Sequence, residues 1–285
     1  KLILRRIKML GAIIGDIIGS IYEFNNIKTK KFDLFTDKNR FTDDTVMTFA
    51  VAEALMNGGG HENFIRFMKR YGEFYPRAGY GGTFVRWLAS DTTEPYNSWG
   101  NGSAMRVSSC GWVANLDIPM EEGIKQTEDL AKASAEVTHN HPEGIKGAQA
   151  TAAAIFFMRH GKSKNAIEEY KKLLKDYIQN KYKYDLNFTL NEIRHSYRFD
   201  VSCQGSVPPS IVSFLESENF EDAIRNAISI GGDSDTLGAI TGSIAEAAYG
   251  IPEDIKEKSM SYLDGRLKGV YENWIKFVKS LGNKI

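Results

Sequence analysis

Apolar residues recur along this chain at the i, i+3, i+4 spacing of amphipathic helices, and no run shows the sustained alternation of a half-buried strand. Leu10 to Phe24 sets the pattern. Ile13, Ile14, Ile17, Ile18 and Ile21 form a broad apolar face, and Asp16, Ser20 and Glu23 fall on the remaining stripe at i, i+4 and i+7. Taken alone, that stripe reads as a solvated polar face. Gly11, Gly15 and Gly19 recur every four residues in the same segment, so a second backbone can approach it closely. Further helices are predicted over Val46 to Met56, stopped by Gly58-Gly59-Gly60, and over Glu62 to Phe74, Ala104 to Val113, Glu121 to Val137 and Gly144 to His160. Lys162 to Tyr184, rich in lysine and tyrosine, reads as a solvent-facing helix, and Pro208-Pro209 is expected to open the next one. Phe220 to Ile230 runs up to a break at Gly231-Gly232. The last predicted helix, Leu237 to Tyr249, has the Ala, Gly, Ser and Ile composition of a close-packed central element. With no repeat and no linker, one all-α domain is the simplest assignment.

The 285 residues leave one large domain or two small ones open on length alone. The chain is 42% hydrophobic and 25% charged, enough to bury a sizeable core. Lys plus Arg and Asp plus Glu are 36 each, so the chain as a whole carries no field that would collect nucleic acid or an anionic membrane. Cys110 and Cys203 stand far apart in no metal-like spacing, which fits a reducing compartment, and a cytoplasmic location is expected. The basic run Lys1 to Lys8 before apolar Met9 to Ile21 has the outline of a secretory signal. Asp16 interrupts it and no small-residue cleavage pattern follows, so residues 1–8 are read as a leader and residues 9–285 as the domain. No apolar run reaches the length of a membrane span.

Two acidic clusters stand directly before predicted helices: Thr42-Asp43-Asp44-Thr45 and Asp233-Ser234-Asp235-Thr236. Asp and Thr are favoured at helix N-caps and in first turns, so each cluster alone can be a cap. Together they put four carboxylates beside segments that look buried, and so many like charges enter a core only if cations neutralise them. The donors are all oxygen, which selects Mg²⁺ or Mn²⁺, with Ca²⁺ open, over Zn²⁺. Two cations sharing ligands about 3.5–4 Å apart is the expected geometry. The loops Gly79-Tyr80-Gly81-Gly82 and Trp99-Gly100-Asn101-Gly102-Ser103 can bring backbone amides to a phosphate, or can be ordinary turns. His139 reads equally as a group that hydrogen-bonds substrate and as a structural cap. His61, His160, His195 and both cysteines are read as structural.

Taken together, Gly15-Asp16-Ile17-Ile18-Gly19-Ser20-Ile21-Tyr22-Glu23, Phe41-Thr42-Asp43-Asp44-Thr45, Trp99-Gly100-Asn101-Gly102-Ser103-Ala104-Met105-Arg106, Thr138-His139 and Gly231-Gly232-Asp233-Ser234-Asp235-Thr236 resemble the ADP-ribosylglycohydrolase family, from Met9 to about Pro252. The resemblance implies a compact single-domain orthogonal helical bundle. It also implies a metal-dependent hydrolase that cleaves the glycosidic bond between ADP-ribose and an acceptor, such as an arginine side chain. By it, Thr42, Asp43, Asp44, Asp233, Asp235 and Thr236 hold two divalent cations, Mg²⁺ or Mn²⁺. Glu23, with Asp44 and Asp235, carries the catalysis. Gly82, Asn97, Ser98, Trp99, Gly100, Asn101, Met105 and His139 line the ADP-ribose cleft, with Trp99 against the distal ribose or the diphosphate. Some members place a catalytic aspartate in the loop that matches Gly79 to Thr83; no Asp or Glu occurs between Phe74 and Ser90 here, which favours Glu23. The expected partner is an ADP-ribosylated protein or small conjugate, with ADP-ribosylated nucleic acid also open, no membrane, and the chain acting as a monomer. The rival readings are a non-catalytic ADP-ribose binder of the same fold and a two-metal phosphatase or nucleotidase.

Overall fold

The computed structural model describes residues 9–282; the expected leader, residues 1–8, lies outside the described residues. These form fifteen α-helices and no strand: α1 (Leu10–Gly19), α2 (Asp43–Met56), α3 (His61–Phe74), α4 (Gly82–Leu88), α5 (Gly102–Met105), α6 (Ser108–Val113), α7 (Met120–Glu136), α8 (Pro142–Arg159), α9 (Lys164–Tyr177), α10 (Leu190–Ile193), α11 (Cys203–Leu215), α12 (Phe220–Ser229), α13 (Ser234–Tyr249), α14 (Glu253–Met260) and α15 (Gly265–Gly282). None of the described helices is long and apolar enough to cross a membrane.

At the centre α1 and α13 run antiparallel in direct backbone contact. A Cβ on Gly11 would lie 2.1 Å from the Gly242 carbonyl oxygen, one on Gly15 1.9 Å from that of Gly238, and one on Gly19 2.4 Å from that of Ser234. Every residue of α1 is buried, as is α13 from Ser234 to Ala248. Helices apolar all round belong in an interior. Around this pair pack α8, α11, α12 and α2, while α3 and α9 cover the outside with one apolar face each. The small-residue stripes anticipated from the sequence are therefore one interface seen from both sides.

Four predicted elements come out differently. α1 ends at Gly19, not Phe24: the Ser20 hydroxyl donates to the Ile17 carbonyl (2.9 Å), and the Asn26 amide donates to the carbonyls of Tyr22 (2.7 Å) and Glu23 (2.8 Å). Glu23 therefore sits on a turn beyond the helix, and Asp16, placed by periodicity on a solvated stripe, is fully buried. The segment Ala104 to Val113 is split into α5 and α6 at Arg106, whose side chain is buried. Helix α11 begins at Cys203, capped by the Ser202 hydroxyl, so Pro208 and Pro209 lie inside it. Proline leaves the carbonyl four residues earlier without its helical donor; for Pro209 that is Gly205, which accepts instead from the Tyr197 hydroxyl (2.9 Å). Finally, the solvent-facing helix of Lys162 to Tyr184 is α9 followed by a π-helical turn, Ile178–Tyr182, that faces inward: Tyr177, Lys181 and Tyr182 all donate to the buried carboxylate of Glu128.

The backbone contact makes a direct prediction. Gly15→Ala forces a methyl group into a space already filled by the Gly238 carbonyl, and overpacking with no flexible neighbour to yield costs about 3 kcal/mol. Gly269→Ala in α15, where a Cβ meets nothing within 4 Å, is expected to be neutral or to stabilise by up to about 1 kcal/mol. Denaturant unfolding of the two variants measures the difference, and equal midpoints would contradict the close contact.

Candidate metal centre and ligand cleft

The α1–α13 contact ends where the acidic residues begin. Asp16 leaves the last turns of α1 and caps the start of α2: one carboxylate oxygen accepts from the backbone N–H groups of Thr42 (2.9 Å) and Thr45 (3.0 Å), the other from the Thr42 hydroxyl (2.7 Å). This fixes Asp43 and Asp44 relative to α1. On the other side Gly231 and Gly232, at φ of 67° and 82°, turn the chain into α13 in a conformation that side chains rarely adopt. Asn26 holds that turn through its amide, accepting from the Gly232 N–H (2.7 Å) and donating to the Gly232 carbonyl (2.8 Å). It thereby ties the Glu23 turn to the Asp233 turn.

The result is two groups of carboxylates with one member in common. Asp16, Asp44 and Asp235 bring one oxygen each within 4.8 Å of one another, and Glu23, Asp233 and Asp235 do the same. Asp16, Asp44, Asp233 and Asp235 are buried, and burial raises the pKa of each: Asp233 to about 6, Asp44 and Asp235 well above the usual carboxylate range. Neighbouring negative charge adds to the effect at Asp44 and Asp235. Glu23, half-buried, is pushed up to about 8 by desolvation and by the Asp235 charge. So many carboxylates cannot all stay ionised together unless a cation joins them. One of them marks where: Asp44 Oδ1 is buried without a hydrogen-bond partner. An all-oxygen donor set with an orphaned carboxylate oxygen fits a hard divalent cation.

The groups floor a cleft of about 400 Å³, a size suited to a small ligand. One wall is the loop Gly100 to Gly102. It is held by hydrogen bonds from Asn101 N–H to the Val201 carbonyl (2.7 Å) and from Cys203 N–H to the Trp99 carbonyl (3.0 Å). The Asn101 side chain donates to Asp233 (2.7 Å), which links this wall to the acidic floor.

The same chain is matched by a family model described as ADP-ribosylglycohydrolase over residues 6–279. The chain belongs to the ADP-ribosylglycohydrolase family. It is similar to the ADP-ribosylhydrolase ARH3 of Gallus gallus (27% identical, covering 85% of this chain and 84% of the relative). It is also similar to the ADP-ribosyl-[dinitrogen reductase] glycohydrolase of Rhodospirillum rubrum (25% identical, covering 91% and 90%). A solved structure titled ADP-ribosylglycohydrolase-related protein complex superposes with a TM-score of 0.64 at 21% identity, covering 99% of this chain and 98% of that one. This last likeness establishes the fold, an all-α bundle of the ADP-ribosylglycohydrolase type.

Within this ADP-ribosylglycohydrolase fold the residues singled out from the sequence fall into two sets. Glu23, Asp43, Asp44, Asp233, Asp235, Thr236, Gly82, Ser98, Gly100, Asn101, Met105 and His139 all line the cleft. Thr42, Asn97 and Trp99 do not. The Thr42 hydroxyl proton goes to Asp16 and its oxygen caps α2, accepting from Asp44 N–H (3.3 Å). Asn97 is exposed at a φ of 55°, and Trp99 is 48% exposed. Asp43 lines the cleft but joins neither carboxylate group. Asp16 is the ligand candidate that periodicity hid. Its signal was an aspartate breaking an apolar, glycine-spaced helix. Phe199 and Val201 also line the cleft from an irregular segment that carries no sequence signal.

The raised carboxyls give the metal-free protein a defined pH dependence. A carboxyl whose folded pKa lies above its unfolded value of about 4 makes the folded state bind more protons in between, so stability is greatest below pH 4 and is lost as pH rises through the folded pKa. With Asp233 near 6 and Glu23 near 8, this contribution declines across the whole range from pH 4 to 8. In chelator, the melting temperature is expected to fall from pH 5 to pH 8, and added Mg²⁺ or Mn²⁺ to raise it more at pH 8 than at pH 5. Scanning calorimetry with and without cation checks this; a gain independent of pH would contradict it.

Proposed function

We propose that this protein hydrolyses the glycosidic bond that joins ADP-ribose to a protein side chain, arginine being the first acceptor to test, at a site that holds two Mg²⁺ or Mn²⁺ ions. The observation that carries the reading is the pair of carboxylate groups joined through Asp235 at the floor of a ligand-sized cleft. The names of the relatives, an ADP-ribosylhydrolase and an ADP-ribosyl-[dinitrogen reductase] glycohydrolase, support the substrate class. Asp16, Asp44 and Asp235 would hold one cation and Asp233 and Asp235 the other, with Glu23 beside it. When bound, such ions supply Lewis acidity to sugar and water oxygens and cancel the charge of the carboxylates.

Glu23 is suited to move the proton. It stands at the edge of the acidic floor, on a turn rather than a helix, where desolvation and the Asp235 charge raise its pKa. As the bond to the acceptor stretches and positive charge grows on the anomeric carbon, a carboxyl in that position can protonate the departing atom. Its carboxylate can then take a proton from the water that adds to the sugar. The Gly100 to Gly102 loop and His139 line the same cleft, where a diphosphate would meet the His139 ring and not a carboxylate.

Glu23→Gln is expected to lower the rate of ADP-ribose release from an ADP-ribosyl-arginine peptide by about 100-fold or more while ADP-ribose still binds. Asp235→Asn is expected to abolish cation-dependent turnover and yet to raise the melting temperature in chelator near pH 8, because the amide needs neither to ionise nor to take up a proton among buried carboxyls. Chromatographic product analysis decides the chemistry. Phosphate release in place of ADP-ribose would indicate a phosphatase, and binding without release, in the wild type with cation, a non-catalytic binder.

A further inference from the structure

The cationic side chain buried beside the cleft is Arg106. It is 1% exposed, and burial lowers its pKa only to about 10, so it stays charged at neutral pH. The acceptors its terminal nitrogen reaches are both neutral: the Ser134 carbonyl (2.8 Å) and the Thr138 hydroxyl (2.9 Å). The Thr138 oxygen in turn lies 2.7 Å from Nδ1 of His139. His139 is 5% exposed, and its other ring nitrogen faces the cleft where two residues have no side chain: a Cβ on Gly102 would lie 3.1 Å from Nε2 and one on Gly100 3.6 Å from it.

The direction of these bonds follows from proton counting. Arg106 can only donate, so the Thr138 oxygen accepts from it and keeps its single proton to give. His139 Nδ1 is the acceptor in line for that proton. Nδ1 is then bare, and in the neutral ring the proton must sit on Nε2. Burial and the Arg106 charge both hold the ring neutral. Tyr96 is also a partner of the Thr138 hydroxyl, and its ring packs beside that of His139 at 5.9 Å between centroids. When Tyr96 donates, Thr138 accepts from it and from Arg106 and has its proton left for Nδ1, whereas the opposite tautomer needs Thr138 to donate to Tyr96. A hydroxyl that accepts from a guanidinium is also a stronger donor, and the polarisation passes along the chain to Nε2–H.

We propose that Arg106 and Thr138 are positioning residues that lock His139 as its Nε2–H tautomer, so that the ring offers one fixed, polarised donor to an anionic ligand oxygen beside Gly100 and Gly102. The identity of that oxygen, on the diphosphate of an ADP-ribosyl group, rests on the function proposed above. The relay brings the influence of a buried positive charge to the ligand without exposing the guanidinium.

Long-range ¹H–¹⁵N spectra of protein labelled with ¹⁵N-histidine, with His139 assigned by the signals lost in His139→Gln, read the tautomer directly. The wild type at neutral pH is expected to show a bare Nδ1 and a protonated Nε2. Thr138→Val, which keeps the shape and removes the hydroxyl, is expected to give mixed tautomers and to weaken calorimetric ADP-ribose binding in Mg²⁺ by about tenfold, with Thr138→Ser restoring both. A wild-type ring protonated on Nδ1 overturns the proposal, as does a Thr138→Val protein that keeps either the wild-type tautomer or the wild-type affinity. Should valine prevent folding, the wild-type spectrum decides alone. A wild type that binds no ADP-ribose defeats the functional reading, while the tautomer still decides the relay.

Discussion

The structure depends on one contact: two helices packed so closely that backbone touches backbone. Gly11, Gly15 and Gly19 on α1 meet Gly242, Gly238 and Ser234 on α13 in antiparallel register. At that separation Asp16, in the middle of α1, and Asp235, in the first turn of α13, bring oxygens within 4.8 Å of one another and of Asp44. Larger residues along the interface would push the helices apart and separate the acidic groups with them. The glycine stripe is therefore a packing device and the frame of the site at once.

The frame is held against its own electrostatics. Each buried carboxylate loses hydration and faces others of like charge, so the apo site can carry only part of its full negative charge near neutral pH. Hydrogen bonds hold part of the array in place: backbone amides and Thr42 on Asp16, Asn101 on Asp233, Thr236 N–H on Asp235. What they leave over is concentrated at Asp44 Oδ1. An all-oxygen array with one carboxylate oxygen left unpartnered suits a hard cation.

The opposite wall of the cleft uses the reverse logic. Its polar side chains are neutral, Asn101 bonded to Asp233 and Ser206 and His139 beside Thr138, and the Arg106 charge is met by the neutral acceptors Ser134 and Thr138. The division matches the proposed ligand, which carries a ribose at one end and a diphosphate at the other.

The all-α class, the small-residue character of the two central helices and both acidic clusters were legible in the sequence, because each depends on residues close together along the chain. Helix period, capping preference and glycine spacing are local properties. What stayed hidden is what two distant segments do to each other. Asp16 read as a surface position because periodicity reports which face a residue occupies and not what packs on it. Thr42 read as a ligand from its place in the cluster, and the structure adds that its hydroxyl donates to Asp16, 26 positions away. The predicted helix Ala104 to Val113 is interrupted at Arg106, whose side chain reaches acceptors at Ser134 and Thr138, and Pro209 sits within α11 with Tyr197 answering the carbonyl it leaves free. The sequence by itself determined which groups could bind cations and which helices could touch. Tertiary structure decided which carboxylate oxygens meet and which hydroxyls are already spent, because hydrogen-bond partners and burial exist only once the chain has closed on itself.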